Sequence, residues 1–192
     1  MDALDTAFNL AFENVEPVNK PILLGLDVSS SMTMGSVGGV EGLSPREASA
    51  ALALVIARTE PKHAFMAFTS RPVDIAISPK MRLDDVVKKI SNLPFGGTDC
   101  ALPMLVALKN EIRVEGFVVM TDNETWAGAI HPSQALVKYR TACNVPDAKL
   151  AVLAMTSTEF TIASPDDAGM LDVCGLDSST PQLITEFLKG NV

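Results

Sequence analysis

The chain has 192 residues, 47% of them hydrophobic and 20% charged, with a formal net charge of −8. A mean hydropathy of +0.25 excludes intrinsic disorder, and the length fits one domain with a sizeable core. A domain that grips nucleic acid unaided carries a basic stripe; the nearest feature here, Lys88–Lys89, reads as the solvated face of a helix.

No apolar run approaches the roughly 18 residues that span a bilayer. The first twenty residues, with Asp2, Asp5, Glu13 and Glu16, lack the basic start and apolar centre of a signal peptide. A soluble, cytoplasmic protein with no membrane partner is expected. The cysteines Cys100, Cys143 and Cys174 are odd in number and widely spaced, with no C-x-x-C pair. That argues against a disulfide framework, zinc and iron–sulfur ligation, and leaves each as a reduced structural residue.

In chain order, residues 1–18 are expected to be an N-terminal extension and residues 19–192 the domain. Four runs are almost continuously apolar: "PILLGLDV" (21–28), "HAFMAF" (63–68), "EGFVVMTD" (115–122) and "AKLAVLAM" (148–155). Such runs suit parallel strands covered on both faces. "MLDVCGL" (170–176) is a weaker sixth candidate. Between the strands lie helical stretches at 44–59, 82–93, 99–111 and 131–143, and a last one at 180–190 closes the chain. The first opens with Ser44, Pro45 and Glu47, a capping-box arrangement.

One connection differs. "AFTSRPVDIAIS" (67–78) joins two strand-like runs through a few residues that include Arg71–Pro72. That is too short for a parallel crossover, so strand 3 must run antiparallel, and Pro72 fits an edge. The expected fold is α/β: a doubly wound, mostly parallel six-stranded sheet in the order 3-2-1-4-5-6, with helices on both faces. Winding reverses between strands 1 and 4, where open α/β sheets place their ligands. Topology therefore brings Asp27 and Asp122, the two acidic strand ends, together.

"LDVSSSM" (26–32) adds chemistry to that crevice. In a loop leaving a strand, Asp27, Ser29 and Ser31 can converge, and hydroxyl oxygens with few carboxylates suit a hard cation such as Mg²⁺. The same residues would also serve as a strand end followed by a helix-capping serine. "PFGGTDC" (94–100) presents Thr98 and Asp99 before a helix, and "VMTDNET" (119–125) places Thr121 and Asp122 at the end of strand 4. Other chemistry is poorly served. Ser29 stands where an aspartyl phosphotransferase needs a second Asp, and neither a G-x-S-x-G elbow nor a phosphate-binding loop occurs.

The order D-x-S-x-S, then Thr after Gly-Gly, then Asp at the end of strand 4 resembles the metal-ion-dependent adhesion site of von Willebrand factor A (vWA) domains, a Rossmann-like fold. "FGGTDCALPM", "TDNETWAGAIHP" and "SPDDAGMLDVCGLD" look more specifically like the C-terminal A domain of Ro ribonucleoproteins, the ring-shaped RNA-binding autoantigens with bacterial relatives. The resemblance covers residues 19 to 180 or so. It implies that Asp27, Ser29, Ser31, Thr98 and Asp122 hold Mg²⁺, or another divalent cation such as Mn²⁺ or Ca²⁺, and that a partner's acidic group completes the shell. Asp99, Asn123, Glu124 and Trp126 would form a partner-facing rim. It also implies a non-enzymatic binding domain. In such proteins Y RNA and misfolded noncoding RNA are held by a ring of helical repeats that this chain lacks. The alternative kept open is a divalent-metal-assisted phosphoryl-transfer or hydrolytic enzyme using Asp27.

Overall fold

A computed structural model describes residues 15–37, 40–94, 96–122, 127–156, 162–177 and 179–192. Its centre is a six-stranded sheet: β1 (Ile22–Asp27), β2 (His63–Phe68), β3 (Pro72–Val73), β4 (Gly116–Thr121), β5 (Lys149–Ala154) and β6 (Met170–Cys174). The order is β3-β2-β1-β4-β5-β6. β1 pairs in parallel with β2 and β4, β5 with β4 and β6, and β3 runs antiparallel to β2. The expected topology is the observed one.

Every residue of β1 and β4 is buried. Side chains alternate between faces along a strand, so a strand with no polar face needs cover on both sides. One layer packs Leu24, Leu26, Val118 and Met120 against helices α1 (Pro45–Thr59), α2 (Leu83–Ser91) and α5 (Thr180–Lys189). The other packs Leu23, Phe117, Val119 and Val152 against α3 (Leu102–Lys109) and α4 (Pro132–Ala142). Among the described residues no helix is long and apolar enough to cross a membrane.

The strand-like run at 67–78 is shorter than its sequence suggests. Only Pro72 and Val73 pair with β2. Beyond them the chain leaves the sheet so that Ile77 is buried, and Ile75 packs, in the layer of α1 and α2. Apolar burial is met there by helices, so the alternating pattern persists without a ladder.

The amino ends of the strands are closed by hydrogen bonds. Glu60, after α1, accepts from the Val18 amide at 2.7 Å and the Asn19 amide at 3.3 Å. Lys20 donates to the carbonyl of Leu188 at 3.0 Å. The buried Tyr139 hydroxyl accepts from the Val114 amide at 2.7 Å and donates to the Ile112 and Val114 carbonyls. Its ring stands edge-on to Phe117, 4.8 Å between centroids.

Candidate metal centre

At the opposite end of the sheet, β1 and β4 deliver carboxylates. The register pairs Leu26 with Met120, which sets Asp27 beside Thr121 and one residue from Asp122. Asp27 is 1% exposed and Asp122 5%, so two acids share a dry crevice. Both oxygens of Asp27 are occupied: Oδ1 accepts from the Ser29 amide at 2.8 Å and Oδ2 from the Thr121 hydroxyl at 2.7 Å. Thr121 is itself fully buried, with the Cys100 thiol 3.7 Å from its oxygen.

The loop after β1 turns through Ser30 into a short 3₁₀ turn, Ser31–Thr33, pinned by Thr33 donating to the Ser30 carbonyl at 2.7 Å. The turn brings Ser29 Oγ and Ser31 Oγ to 3.0 Å of each other. Two adjacent ligands of an octahedral Mg²⁺, each bonded at about 2.1 Å, lie about 3.0 Å apart. The hydroxyl pair can thus exchange its mutual hydrogen bond for a shared cation without moving far. Oxygen donors from two hydroxyls and two carboxylates match the preferences of a hard divalent ion. Among the described residues no cluster of three His, Cys, Asp or Glu side chains could hold a metal, so any ion here depends on hydroxyl oxygens.

Thr98 arrives from the other side of the crevice. The Asp99 amide donates to the Thr69 carbonyl at 3.0 Å, tying this loop to the end of β2. Gly96 lies against Thr69 so closely that a Cβ there would sit 2.9 Å from the Thr69 side chain. The Thr98 carbonyl accepts from the Ala127 amide at 2.9 Å, and Thr98 is 3% exposed. The Asp122 carbonyl accepts from the Thr156 hydroxyl at 3.0 Å. Asp27, the last residue of β1, and Ser29, Ser31, Thr98 and Asp122, in the connections beside it, therefore lie on the carboxyl-end side of the sheet.

Electrostatics follow from the burial. Loss of water pushes the Asp27 carboxyl up to about 6; hydrogen bonds from Ser29 and Thr121 oppose the rise, and the Asp122 charge adds to it. Burial also lowers the Arg46 pKa, against the pull of the Asp27 charge.

The rim differs from expectation at Asp99. Its side chain is 6% exposed and turned to the Ala101 amide at 3.0 Å, where it caps the turn leading into α3. Gly128, at φ +97°, closes over it, and a Cβ there would fall 2.6 Å from the carboxyl carbon. A short acid just before a helix is drawn to the free amides of the first turn, and that draw keeps it off the surface. Asn123, Glu124 and Trp126, the rest of the expected rim, lie outside the described residues. Of the cysteines, Cys100 is buried at the site, while Cys174 at the end of β6 is exposed.

Two residues at the site lie outside the five expected ligands. Thr121, directly before Asp122, orients Asp27. Arg46, 2% exposed in the first turn of α1, donates from Nη2 to the carbonyls of Val28 at 2.7 Å and Ser29 at 3.0 Å.

Residues 21–188 match the family described as the Ro60 vWA domain. The chain belongs to that family. It is 47% identical over its whole length to the RNA-binding protein RO60 of Deinococcus radiodurans, covering 36% of that protein. It is 41% identical to the Caenorhabditis elegans protein of the same name, covering 29% of it. The chain thus spans about a third of the length of these relatives. The crystal structure of the Deinococcus radiodurans RO (RSR) protein superposes with a TM-score of 0.89 over all of this chain and 38% of that one.

Proposed function

We propose that this Ro60 vWA domain is a non-enzymatic, cytoplasmic binding module whose Asp27, Ser29, Ser31, Thr98 and Asp122 hold Mg²⁺. The carrying observation is the hydroxyl pair at 3.0 Å beside a buried, fully hydrogen-bonded Asp27. The bound cation would supply an open coordination position for an acidic side chain of a protein partner. In a longer Ro60 protein the module would serve an RNA-binding assembly, and Y RNA and misfolded noncoding RNA would be gripped by another region. A net charge of −8 favours that division of labour, because phosphate contacts need clustered Lys and Arg.

Hydrolytic chemistry at Asp27 draws less support. Both carboxylate oxygens already accept hydrogen bonds, which suits a fixed acceptor better than a nucleophile, and Ser29 stands where a general acid would be needed.

Calorimetric titration tests the reading. Wild type should bind Mg²⁺ or Mn²⁺ with one site, and Ser29→Ala or Asp122→Ala should weaken it at least about tenfold. Unchanged binding in both variants would place the ion elsewhere. Phosphatase or nuclease turnover that needs Mn²⁺ and disappears in Asp27→Ala would replace the binding module with an enzyme.

A further inference from the structure

We infer that Arg46 is a positioning residue for the metal loop, a role that rests on the metal-site reading above. Arg46 is 2% exposed and lies on α1, an element that supplies none of the five expected ligands. Its Nη2 donates to two consecutive carbonyls, Val28 and Ser29, at 2.7 and 3.0 Å. On its amide side the same loop is held by the bond from Ser29 N–H to Asp27 at 2.8 Å, and by Val28 N–H to the Phe68 carbonyl at 3.0 Å. The Val28–Ser29 peptide unit is thus fixed on both sides and each neighbouring unit on one, and their orientation sets where the Ser29 hydroxyl goes.

The anchor is itself rigid. The Ser44–Glu47 capping box fixes the turn that carries Arg46: Glu47 accepts from the Ser44 amide at 2.9 Å and hydroxyl at 2.7 Å, and Ser44 Oγ accepts from the Glu47 amide at 3.3 Å. A planar guanidinium with donors in a fixed fork can serve two carbonyls at once, which a lysine ammonium does less well.

Two effects of Arg46 on a cation oppose each other. Its permanent charge repels a second cation in a poorly screened crevice, whereas fixing the loop gathers the hydroxyl ligands in advance. Groups that orient metal ligands typically change affinity by roughly 10–100-fold when removed. On this proposal positioning outweighs repulsion, and the sign of the mutational effect reports it.

The experiment compares Mn²⁺ titration and metal-free amide exchange in wild type, Arg46→Met, Arg46→Lys and Ser44→Ala. Arg46→Met should bind Mn²⁺ about tenfold more weakly, with faster exchange of the Ser29–Met32 amides. Arg46→Lys should recover part of both. Ser44→Ala, which loosens the turn that carries Arg46 but leaves the guanidinium in place, should lower the melting temperature and weaken Mn²⁺ binding by less than Arg46→Met does. Tighter Mn²⁺ binding by Arg46→Met would mean that charge dominates, and would overturn the proposal, as would unaltered exchange of those amides. If Arg46→Met fails to fold, Arg46→Lys carries the same comparison against Ser44→Ala. A wild type that binds no Mn²⁺ while its loop amides still respond to Arg46 substitution would sink the metal-site reading and leave the loop anchor standing.

Discussion

The two ends of one sheet are built on opposite terms. At the amino ends of the strands, polar groups that lose water meet neutral or complementary partners: Tyr139 with the backbone of Val114 and Ile112, Glu60 with the amides of Val18 and Asn19, Lys20 with the carbonyl of Leu188. At the carboxyl ends, Asp27 and Asp122 are buried within reach of each other's charge. Hydrogen bonds orient Asp27, but burial still outweighs them and holds its pKa near 6. A closed end serves stability, and under the proposed function the end with a raised carboxyl pKa and paired hydroxyls serves a cation. Function is therefore expected to cost stability at one end alone.

The largest expected contrast comes from Asp27→Asn. A carboxyl raised from 3.8 to about 6 keeps its proton in the folded state where the unfolded chain has released it. Its contribution is therefore complete below pH 3.8 and is lost as pH rises through about 6. The shift corresponds to a penalty of up to about 3 kcal/mol on the ion-free domain at pH 7.5. Asparagine can accept from Ser29 and bond to the Thr121 hydroxyl without charge. Asp27→Asn should thus stabilise the ion-free protein at pH 7.5, with the gain fading toward pH 4, while abolishing cation binding. Urea melts at both pH values check it, and a loss of stability at pH 7.5 would break the contrast.

Tyr139→Phe probes the other end. The ring keeps its place against Phe117, but the Val114 amide is left buried without its acceptor, a loss of about 1–3 kcal/mol. Cation affinity should stay as in wild type. A parallel loss of affinity would mean that the two ends are not independent.

The smallest effect belongs to Arg140 and Asp167, also at the amino end, where Arg140 donates to the Ala148 carbonyl before β5 and Asp167 accepts from the Gly169 amide before β6. The Arg140 hydrogen bond holds the Asp167 carboxyl below its usual range. Since the pair is partly exposed, at 16% and 25%, Asp167→Asn should cost only about 1 kcal/mol at neutral pH. A lowered carboxylate pKa gives stability that is present above the unfolded value and lost as pH falls through the folded one. The difference between wild type and variant should therefore vanish in acid melts.

Much of this was legible in the residues themselves. Continuous apolar runs gave away doubly covered parallel strands, and a connection too short to cross over gave β3 its direction. The pairing of Asp27 with Asp122 followed from strand order alone. The length of β3 did not, because Ile75 and Ile77 look the same whether they pack on a sheet or on helices. Asp99 is ambiguous in sequence because an acid before a helix can face solvent or cap a turn; its bond to the Ala101 amide and the approach of Gly128 show the cap. Thr121 had a usable signal, a hydroxyl residue whose register places it beside Asp27. Arg46 had a weaker one, a charged residue at the start of a helix whose residues 48–57 are small or apolar, with nothing in the sequence to say that its partners were two carbonyls of the loop after β1.

The central claim is that the carboxyl end of the sheet is finished by a cation. Thermal unfolding with and without Mg²⁺ tests it most directly. At an ion concentration a hundredfold above its dissociation constant the folded state gains about 2.7 kcal/mol, which for a chain of this size raises the melting temperature by about 5–10 °C. The shift should appear in wild type and Tyr139→Phe, and fall to about half or less in Ser29→Ala and Asp122→Ala. A melting temperature in wild type that is indifferent to Mg²⁺ and Mn²⁺ would contradict the account.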